Sequence, residues 1–285
     1  MGRKRTKLDL SYLPGIALIA VVILGGFIKS IIISFGFYKE IGISEFTTKY
    51  YREILTSKGF LNSLFFTFKF AAVSSILAVI IGLFMAYGIY FYKKKSSFSL
   101  NIPMIIPHMI VVVILLNLFS EAGLFSRILA NIGIIDSPHK FVPLFYTKSA
   151  IGIILVYIFK GAPFAAVVFL NGINKIGMEQ FSAARNLGAT ESYAFYHIYY
   201  KRVKSSLLKV LLILFTFSMS SYEVPYLIGP TTPRALAVKS YIEFTQNDFI
   251  YKPYSLAYNV ILGLIGIITV IVFLMLEFKD DEDFI

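Results

Sequence analysis

The chain has 285 residues, of which 57% are hydrophobic and only 15% are charged, and its mean hydropathy is +0.75. Because soluble domains carry about 25% charged residues, this composition excludes a soluble globular protein and indicates a polytopic membrane protein. The formal net charge of +11 does not indicate nucleic-acid binding, since the basic residues concentrate in loops between apolar segments. There is no cysteine and the three histidines are scattered, so the sequence predicts neither a disulfide nor a metal site.

Six apolar segments are each long enough to cross a bilayer, which takes about 20 helical residues. The predicted spans are residues 14–35, 61–92, 100–119, 149–170, 207–228 and 255–277. Two prolines, Pro103 and Pro107, lie near the start of the third span. Between the third and fourth spans, residues 124–135 predict a short helix at the membrane interface. We therefore expect an all-α fold with six transmembrane helices.

The spans also predict three regions of the chain and one orientation in the membrane. Residues 1–59 form an N-terminal segment with the first helix and an extracellular loop, residues 60–278 form a five-helix core, and residues 279–285 form an acidic tail. Loops on the side of the two termini hold 13 Lys and Arg residues close to span ends, whereas the opposite loops hold 10. By the positive-inside rule, both termini of this multi-pass plasma-membrane protein face the cytoplasm.

The longest polar interruption in the second half of the chain runs from residue 173 to residue 206. Its pattern predicts two short helices around a turn, with Gly188 ending the first in a left-handed conformation and Thr190 capping the second. Apolar residues at intervals of three predict one side of the first helix: Met178, Phe181, Ala184 and Leu187. We interpret the loop as a docking element, because small residues at the turn allow another protein to approach closely.

Basic residues flank this loop, and two other interpretations fit its shape. The basic residues are Lys175, Arg185, Lys201, Arg202 and Lys204. One alternative is an amphipathic segment on the lipid surface, attracted to anionic headgroups. The other is a DNA-binding helix-turn-helix, which the long apolar spans on both sides argue against.

The turn of the loop resembles the cytoplasmic signature of a known family, the transmembrane permease subunits of type I ABC importers. That signature reads Glu-Ala-Ala, three residues and then Gly. Here the corresponding stretch is Ser182-Ala183-Ala184-Arg185-Asn186-Leu187-Gly188. Ser182 stands in place of the usual Glu, although Glu179 lies one turn earlier, where a carboxylate can substitute for it. A second departure is Tyr200-Lys201, where the family usually has Leu-Pro.

Other stretches resemble the same family, and together they cover about residues 60 to 275. They are residues 60–64, 82–87, 106–108, 161–164 and 222–230. The Glu-Val-Pro-Tyr-Leu-Ile-Gly-Pro run and the Leu-Gly-Ala form of the signature are most similar to the branch for spermidine and putrescine. The resemblance therefore implies the permease fold of a type I importer, with a polyamine or another small cation as the solute.

The resemblance also implies a set of partners for this chain. Two ATPase subunits would bind ATP and Mg²⁺, so this chain would hold no cofactor and no catalytic residue. A second permease subunit of different sequence would complete the pathway, and an extracellular binding protein would deliver the solute. The implied residues of ATPase coupling are Glu179, Ser182, Ala183, Ala184, Leu187 and Gly188.

Ionisable groups inside membrane spans are costly, so each is a candidate for function. Glu223 stands beside Pro225 near the end of the fifth span, where an acidic group suits a cationic solute. The other interpretation is an interfacial residue bonded to backbone that the proline frees. Lys160 with Gly161 and Pro163 indicates a break in the fourth helix, and the other interpretations are pairing with a neighbouring helix or snorkelling to the interface. Tyr222 is a further candidate for the pathway lining.

Two other functional classes are open at this point. An ion-coupled secondary transporter usually shows paired repeats of broken helices and several intramembrane acids, whereas this sequence has essentially one, Glu223. A polytopic membrane enzyme needs catalytic groups clustered at one depth. The scattered histidines argue against that class.

Overall fold

The computed structural model of the chain describes residues 13–91 and 97–282. Within these ranges the chain is mostly helical, and the only strand-like pairing there is an isolated antiparallel bridge between Tyr38 and Ile43. The helices are α1 (Leu13–Ser34), α2 (Lys49–Thr56), α3 (Lys58–Phe91), α4 (Ser97–Ile105), α5 (His108–Phe119), α6 (Leu124–Asn131), α7 (Ile151–Ile176), α8 (Glu179–Asn186), α9 (Glu191–Ala194), α10 (Lys201–Ser220), α11 (Glu223–Ile228), α12 (Leu236–Thr245) and α13 (Lys252–Glu282). The predicted all-α fold is confirmed.

Among the described residues, six helical stretches are long and apolar enough to cross a membrane. They are Leu13–Ser34, Lys58–Phe91, His108–Asn131, Ile151–Ile176, Glu191–Ser220 and Phe249–Met275. Their number and order match the six predicted spans. The short helix predicted within residues 124–135 is also present, as α6.

The chain divides into two compact units. The first comprises the residues up to Ser57 with Ser240–Gly263, and the second comprises Lys58–Lys239 with the residues from Leu264 onward. In the first unit, a hydrogen bond of 2.6 Å between the hydroxyls of Ser34 and Tyr51 joins the end of α1 to α2. In the same unit, the buried Ser240 hydroxyl donates to the carbonyl oxygen of Ser255 at 3.0 Å. Buried hydroxyls are therefore satisfied within this unit, as burial of polar groups requires.

Helices α3, α7 and α10 form the centre of the second unit. α3 and α7 approach closely at Gly82, where an added Cβ atom would lie 2.5 Å from the Cβ of Ala165. Small residues permit such close packing of membrane helices. Phe70 of α3 and Phe169 of α7 are fully buried in the same unit. The pair of helices is thus a tightly packed support for the elements described below.

The third predicted span is not one helix in the structure. α4 ends at Ile105 and α5 begins at His108, so the prediction of a continuous helix over residues 100–119 is wrong. Pro107 causes the break, because it has no N–H to offer the helix and disfavours helical geometry at the preceding residue.

The fourth and fifth spans also differ from the prediction. Of the interpretations offered for Lys160 and Pro163, a break in the fourth helix is not observed, because α7 continues through both residues. A buried proline such as Pro163 is tolerated in a membrane helix where neighbouring groups satisfy the freed backbone. The fifth span ends earlier than predicted, since α10 stops at Ser220, Ser221 is extended, and the short helix α11 follows.

Candidate functional site

The loop at residues 173–206, here called the docking loop, contains α8, α9 and the start of α10. At its turn Gly188 has φ = +90°, and its N–H donates to the carbonyl of Arg185 at 3.0 Å. The N–H of Ala189 donates to the carbonyl of Ala184 at 3.1 Å, which completes a Schellman motif. The Thr190 hydroxyl accepts a bond from the N–H of Tyr193 at 3.3 Å. Both local predictions, the left-handed glycine and the threonine cap, are confirmed.

One face of α8 is open to the surroundings. The exposed residues include Glu179, Ser182, Ala183, Leu187 and Gly188, while Ala184 is half-buried. Leu187 is 90% exposed, whereas Phe181 is 6% exposed and packs against the protein. The predicted apolar side of this helix is therefore only partly buried, because Met178 and Leu187 lie beyond the two ends of α8 and are exposed. The signature residues form an exposed surface with one protruding leucine.

The opposite face of α8 packs against an aromatic cluster at the end of α3. The cluster consists of Tyr87, Tyr90, Phe91, Phe181, Phe195 and Tyr199. The ring of Phe91 lies 4.8 Å from that of Phe181, and the ring of Tyr87 lies 4.8 Å from that of Phe195. Aromatic pairs at such distances stabilise a contact by about 0.5–1.5 kcal/mol beyond their buried area. The docking loop is thereby attached to α3.

Two hydrogen bonds reinforce this attachment. The Tyr199 side chain is fully buried, and its hydroxyl donates to the carbonyl oxygen of Gly177 at 2.8 Å. The Tyr87 hydroxyl donates to Oε1 of Glu191 at 2.5 Å. Tyr199 lies in a π-helical turn, Phe195–Tyr200, and such turns occur frequently at functional sites.

The aromatic cluster was not predicted from the sequence. The available signal was a pair of aromatic residues four positions apart at each end of the contact, namely Tyr87 with Phe91 and Phe195 with Tyr199. Residues at this spacing share one helix face. Nothing local indicates, however, that the two faces meet.

A cavity of about 320 Å³ lies among α3, α4, α5, α7 and α10 in the second unit. It is lined by Ser74, Ser75, Ala78, Met104, His108, Tyr157, Lys160, Gly161, Phe164, Ile213, Leu214, Phe217 and Ser218. Six of these thirteen residues carry a polar group, but the exposed surface of the cavity is mostly apolar, as is typical of small-molecule sites. The cavity is a candidate part of a solute pathway.

Lys160 projects from α7 toward the interrupted helix. Its Nζ donates to the carbonyl oxygen of Met104 at 2.8 Å and also to that of Ile106. These carbonyls belong to the end of α4, where Pro107 interrupts the helix and leaves backbone acceptors without intrahelical donors. The ammonium group also lies at a helix C-terminus, which favours positive charge. Of the interpretations from the sequence, the pairing with a neighbouring helix is the one observed.

Aromatic rings and several hydroxyl-bearing side chains line the rest of the cavity. The His108 ring lies 5.2 Å from the ring of Phe217 and 6.1 Å from that of Tyr157. The Tyr157 hydroxyl is buried and makes no hydrogen bond within residues 13–91 and 97–282. The cavity therefore offers aromatic faces and several hydroxyl-bearing side chains.

The predicted pathway residues differ in their relation to the cavity. Lys160 lines the cavity, whereas Glu223 and Tyr222 lie outside its lining. Glu223 is the first residue of α11 and is exposed, and α10 has already ended at Ser220. A carboxylate in the first turn of a helix is favourable for the helix dipole. A pathway role for Glu223 and Tyr222 stays a prediction.

Comparisons with known proteins identify the family of the chain. Residues 78–279 match the family model described as "binding-protein-dependent transport system inner membrane component". The xylose/arabinose import permease protein XacH of Haloferax volcanii is 24% identical over 229 residues, which are 76% of this chain and 70% of that protein. A probable sulfate transport system permease protein, cysT, of Marchantia polymorpha is 26% identical over 194 residues, which are 66% of this chain and 63% of that protein.

Two solved structures share the fold. A bacterial ABC transporter involved in import of the acidic polysaccharide alginate matches with a TM-score of 0.77 at 16% identity, covering 95% of each chain. The bacterial alginate ABC transporter in complex with an alginate pentasaccharide-bound periplasmic protein matches with a TM-score of 0.75 at 17% identity, covering 93% of this chain and 92% of that one. Because the family model spans well over half of the sequence, the chain belongs to the binding-protein-dependent transport system inner membrane components, the permease subunits of ABC importers.

Proposed function

We propose that this permease subunit couples to a separate ATPase through the docking loop. The observation that carries the proposal is the two-sided arrangement of α8. Ser182 and Gly188 of the family signature are exposed on one side, while Phe181 on the other side contacts Phe91 of α3. A surface that is free to dock and also fixed to a long membrane helix can transmit the movement of a partner.

The same contacts suggest a route from the ATPase to the solute. Closure of an ATPase dimer on ATP would displace α8, and the aromatic cluster would carry this displacement to α3. α3 packs closely on α7, and both helices line the cavity that holds Lys160. Alternating access then corresponds to a shift between two packings of these helices.

A co-purification experiment tests the docking surface. The chain is expressed with the ATPase and the partner permease encoded beside it, as wild type and as Gly188→Arg. An added Cβ at Gly188 meets no atom of the chain within 4 Å. An arginine there therefore projects outward into the proposed interface, and it also strains a left-handed backbone position.

Gly133→Arg is the matched control for this experiment. Gly133 has φ = +75°, ends α6 with the same Schellman pattern of hydrogen bonds as Gly188, and likewise has no atom within 4 Å of an added Cβ. We expect the ATPase to be lost from Gly188→Arg and retained by Gly133→Arg. Equal retention by both variants would show that the interface lies elsewhere, and equal loss would show a general folding defect.

We further propose that the permease works as a heteromer in the cytoplasmic membrane, with both termini in the cytoplasm. Its partners would be a second, different permease chain, two ATPase subunits that bind ATP and Mg²⁺, and an extracellular binding protein. The even number of spans supports termini on one side. Formation of a complete transporter from this chain and the ATPase alone would contradict the heteromer.

For the solute, we propose a neutral, hydroxyl-bearing molecule of the sugar class. A polyamine or another small cation, implied by the resemblance at residues 222–230, is less suited to the cavity, because Lys160 carries a positive charge there. That ammonium is already bonded to two carbonyls, so it is also a weak site for a free anion. Aromatic faces and the hydroxyl-bearing side chains of the lining remain for a sugar ring and its hydroxyls. The pentose named for the relative from Haloferax volcanii is of this class.

Solute-stimulated ATP hydrolysis distinguishes these solutes. The complete transporter is reconstituted with the binding protein encoded beside it, and xylose, sulfate and putrescine are compared. Stimulation by xylose supports the proposal, whereas stimulation by putrescine or sulfate alone would overturn it.

A further inference from the structure

A second depression of the surface lies where the end of α7 meets the start of α10. It has a volume of about 420 Å³ and is here called the basic groove. Its lining residues are Val168, Asn171, Gly172, Lys175, Ile176, Arg202, Val203 and Ser206. None of these residues lines the solute cavity or belongs to the exposed signature face of α8.

The groove has two positive charges and no acidic residue in its lining. Lys175 lies in the last turn of α7, and Arg202 is the second residue of α10. Both are exposed, and neither forms an ion pair with any residue in the described ranges. Asn171 and Ser206 add an amide and a hydroxyl, which also donate hydrogen bonds. Two cations with two neutral donors match the oxygens of a phosphate group.

The groove lies at one end of a membrane-spanning helix. The fourth apolar span ends at Ile176, so Lys175 lies at the boundary of the segment that can cross the bilayer. The apolar part of the lining, here called the floor, consists of Val168, Ile176 and the buried Val203. A ligand with a charged end and an apolar end fits this combination of basic and apolar lining residues better than a fully hydrated ion does.

We propose that the basic groove binds the phosphate of an anionic phospholipid headgroup. Basic pockets between membrane helices bind anionic headgroups in this way. The lipid would bridge α7 and α10 at the base of the docking loop, with its phosphate between Lys175 and Arg202 and its glycerol side on the apolar floor. This assignment does not depend on the ATPase contact or on the identity of the solute.

Lipid retention by the full-length chain tests the proposal. The purified chain is incorporated into nanodiscs of phosphatidylcholine with increasing phosphatidylglycerol, and the phosphatidylglycerol that stays bound after extraction is counted by native mass spectrometry. Each basic residue near a membrane surface contributes about fivefold to the affinity for anionic lipid. Lys175→Gln and Arg202→Gln should each weaken retention about fivefold, and the double variant about 30-fold, by the same contribution.

Lys201→Gln is the matched control, because Lys201 is exposed and adjacent to Arg202 but does not line the groove. It should leave retention unchanged. A charge-conserving variant, Lys175→Arg with Arg202→Lys, should keep the lipid and shows that the groove folds. Equal weakening by Lys201→Gln would overturn the proposal in favour of a diffuse attraction by surface charge.

A competition arm distinguishes lipid from a free anion. Inorganic phosphate is added to the nanodiscs before extraction. If the groove recognises a lipid, phosphate leaves the bound phosphatidylglycerol in place. Displacement of the lipid by phosphate would overturn the assignment and identify the groove as a site for a soluble phosphate.

Discussion

Replacing Lys160 with Met should lower the stability of the helix bundle, because the end of α4 would lose its hydrogen-bond donor. The ammonium bonds to the carbonyl oxygens of Met104 and Ile106, and no donor in the interrupted helix replaces it. A hydrogen bond to a charged group contributes about 1.5–3 kcal/mol. Since Lys160 is only half-buried, solvent screening reduces the combined contribution of the two hydrogen bonds. We therefore expect the free energy of unfolding to fall by about 2–4 kcal/mol. With about 2 °C per kcal/mol for a chain of this size, the unfolding midpoint should fall by about 4–8 °C.

Thermal unfolding of the detergent-solubilised chain measures this effect. Because the chain has neither tryptophan nor cysteine, far-UV circular dichroism is better suited than tryptophan fluorescence or a thiol-reactive dye. Lys160→Arg retains donors and should keep most of the stability. Lys29→Met removes another lysine from a span, but one that is exposed and donates to no backbone carbonyl in the part of the chain that the structure describes. An unchanged midpoint for Lys160→Met, or an equal fall for Lys29→Met, would refute the reasoning.

Three further predictions concern the docking loop and the topology. Tyr199→Phe removes the bond to the Gly177 carbonyl, which contributes about 1 kcal/mol, and it should reduce the solute-stimulated part of ATP hydrolysis in the reconstituted transporter. Tyr196→Phe, at an exposed neighbour, should have no effect; an equal effect would contradict a specific role for Tyr199. Ser182→Glu restores the acidic signature residue and should strengthen ATPase co-purification in low salt, whereas Ser192→Glu, an equal change on α9, should not. A C-terminal green fluorescent protein fusion should fluoresce and an alkaline phosphatase fusion should be inactive, and the reverse result would contradict cytoplasmic termini.

Features determined by neighbouring residues were predictable from the sequence. Each apolar span is visible as a run of sufficient length, and six such runs define an all-α membrane protein. The left-handed Gly188 and the capping Thr190 follow from backbone chemistry within a few residues. The turn of the docking loop was therefore predicted correctly, although its packing was not.

Features that join distant parts of the chain were not predictable. Lys160 bonds to a carbonyl 56 residues away, and Tyr87 bonds to Glu191 across 104 residues. A sequence shows a lysine or a tyrosine in a span but not the group that meets it. For the same reason, the sequence left a break at Pro163 as one of several interpretations, whereas the helix is interrupted at Pro107 and continuous at Pro163. Local propensity identifies where a helix can be interrupted, and tertiary contacts determine which of these positions is interrupted in the fold.

The bond between Lys160 and the end of α4 has an evolutionary consequence. If Pro107 were replaced by a residue with an N–H and the helix became continuous, the N–H of His108 would take the carbonyl of Met104 in the ordinary helical pattern. Lys160 would then have no free backbone carbonyl to bond, and its charge inside the membrane would cost free energy without a compensating hydrogen bond. The proline and the lysine should therefore be inherited as a pair, so that lineages which lost one would be expected to have lost the other. A search for this joint loss among homologous permeases would show whether the two positions have changed together.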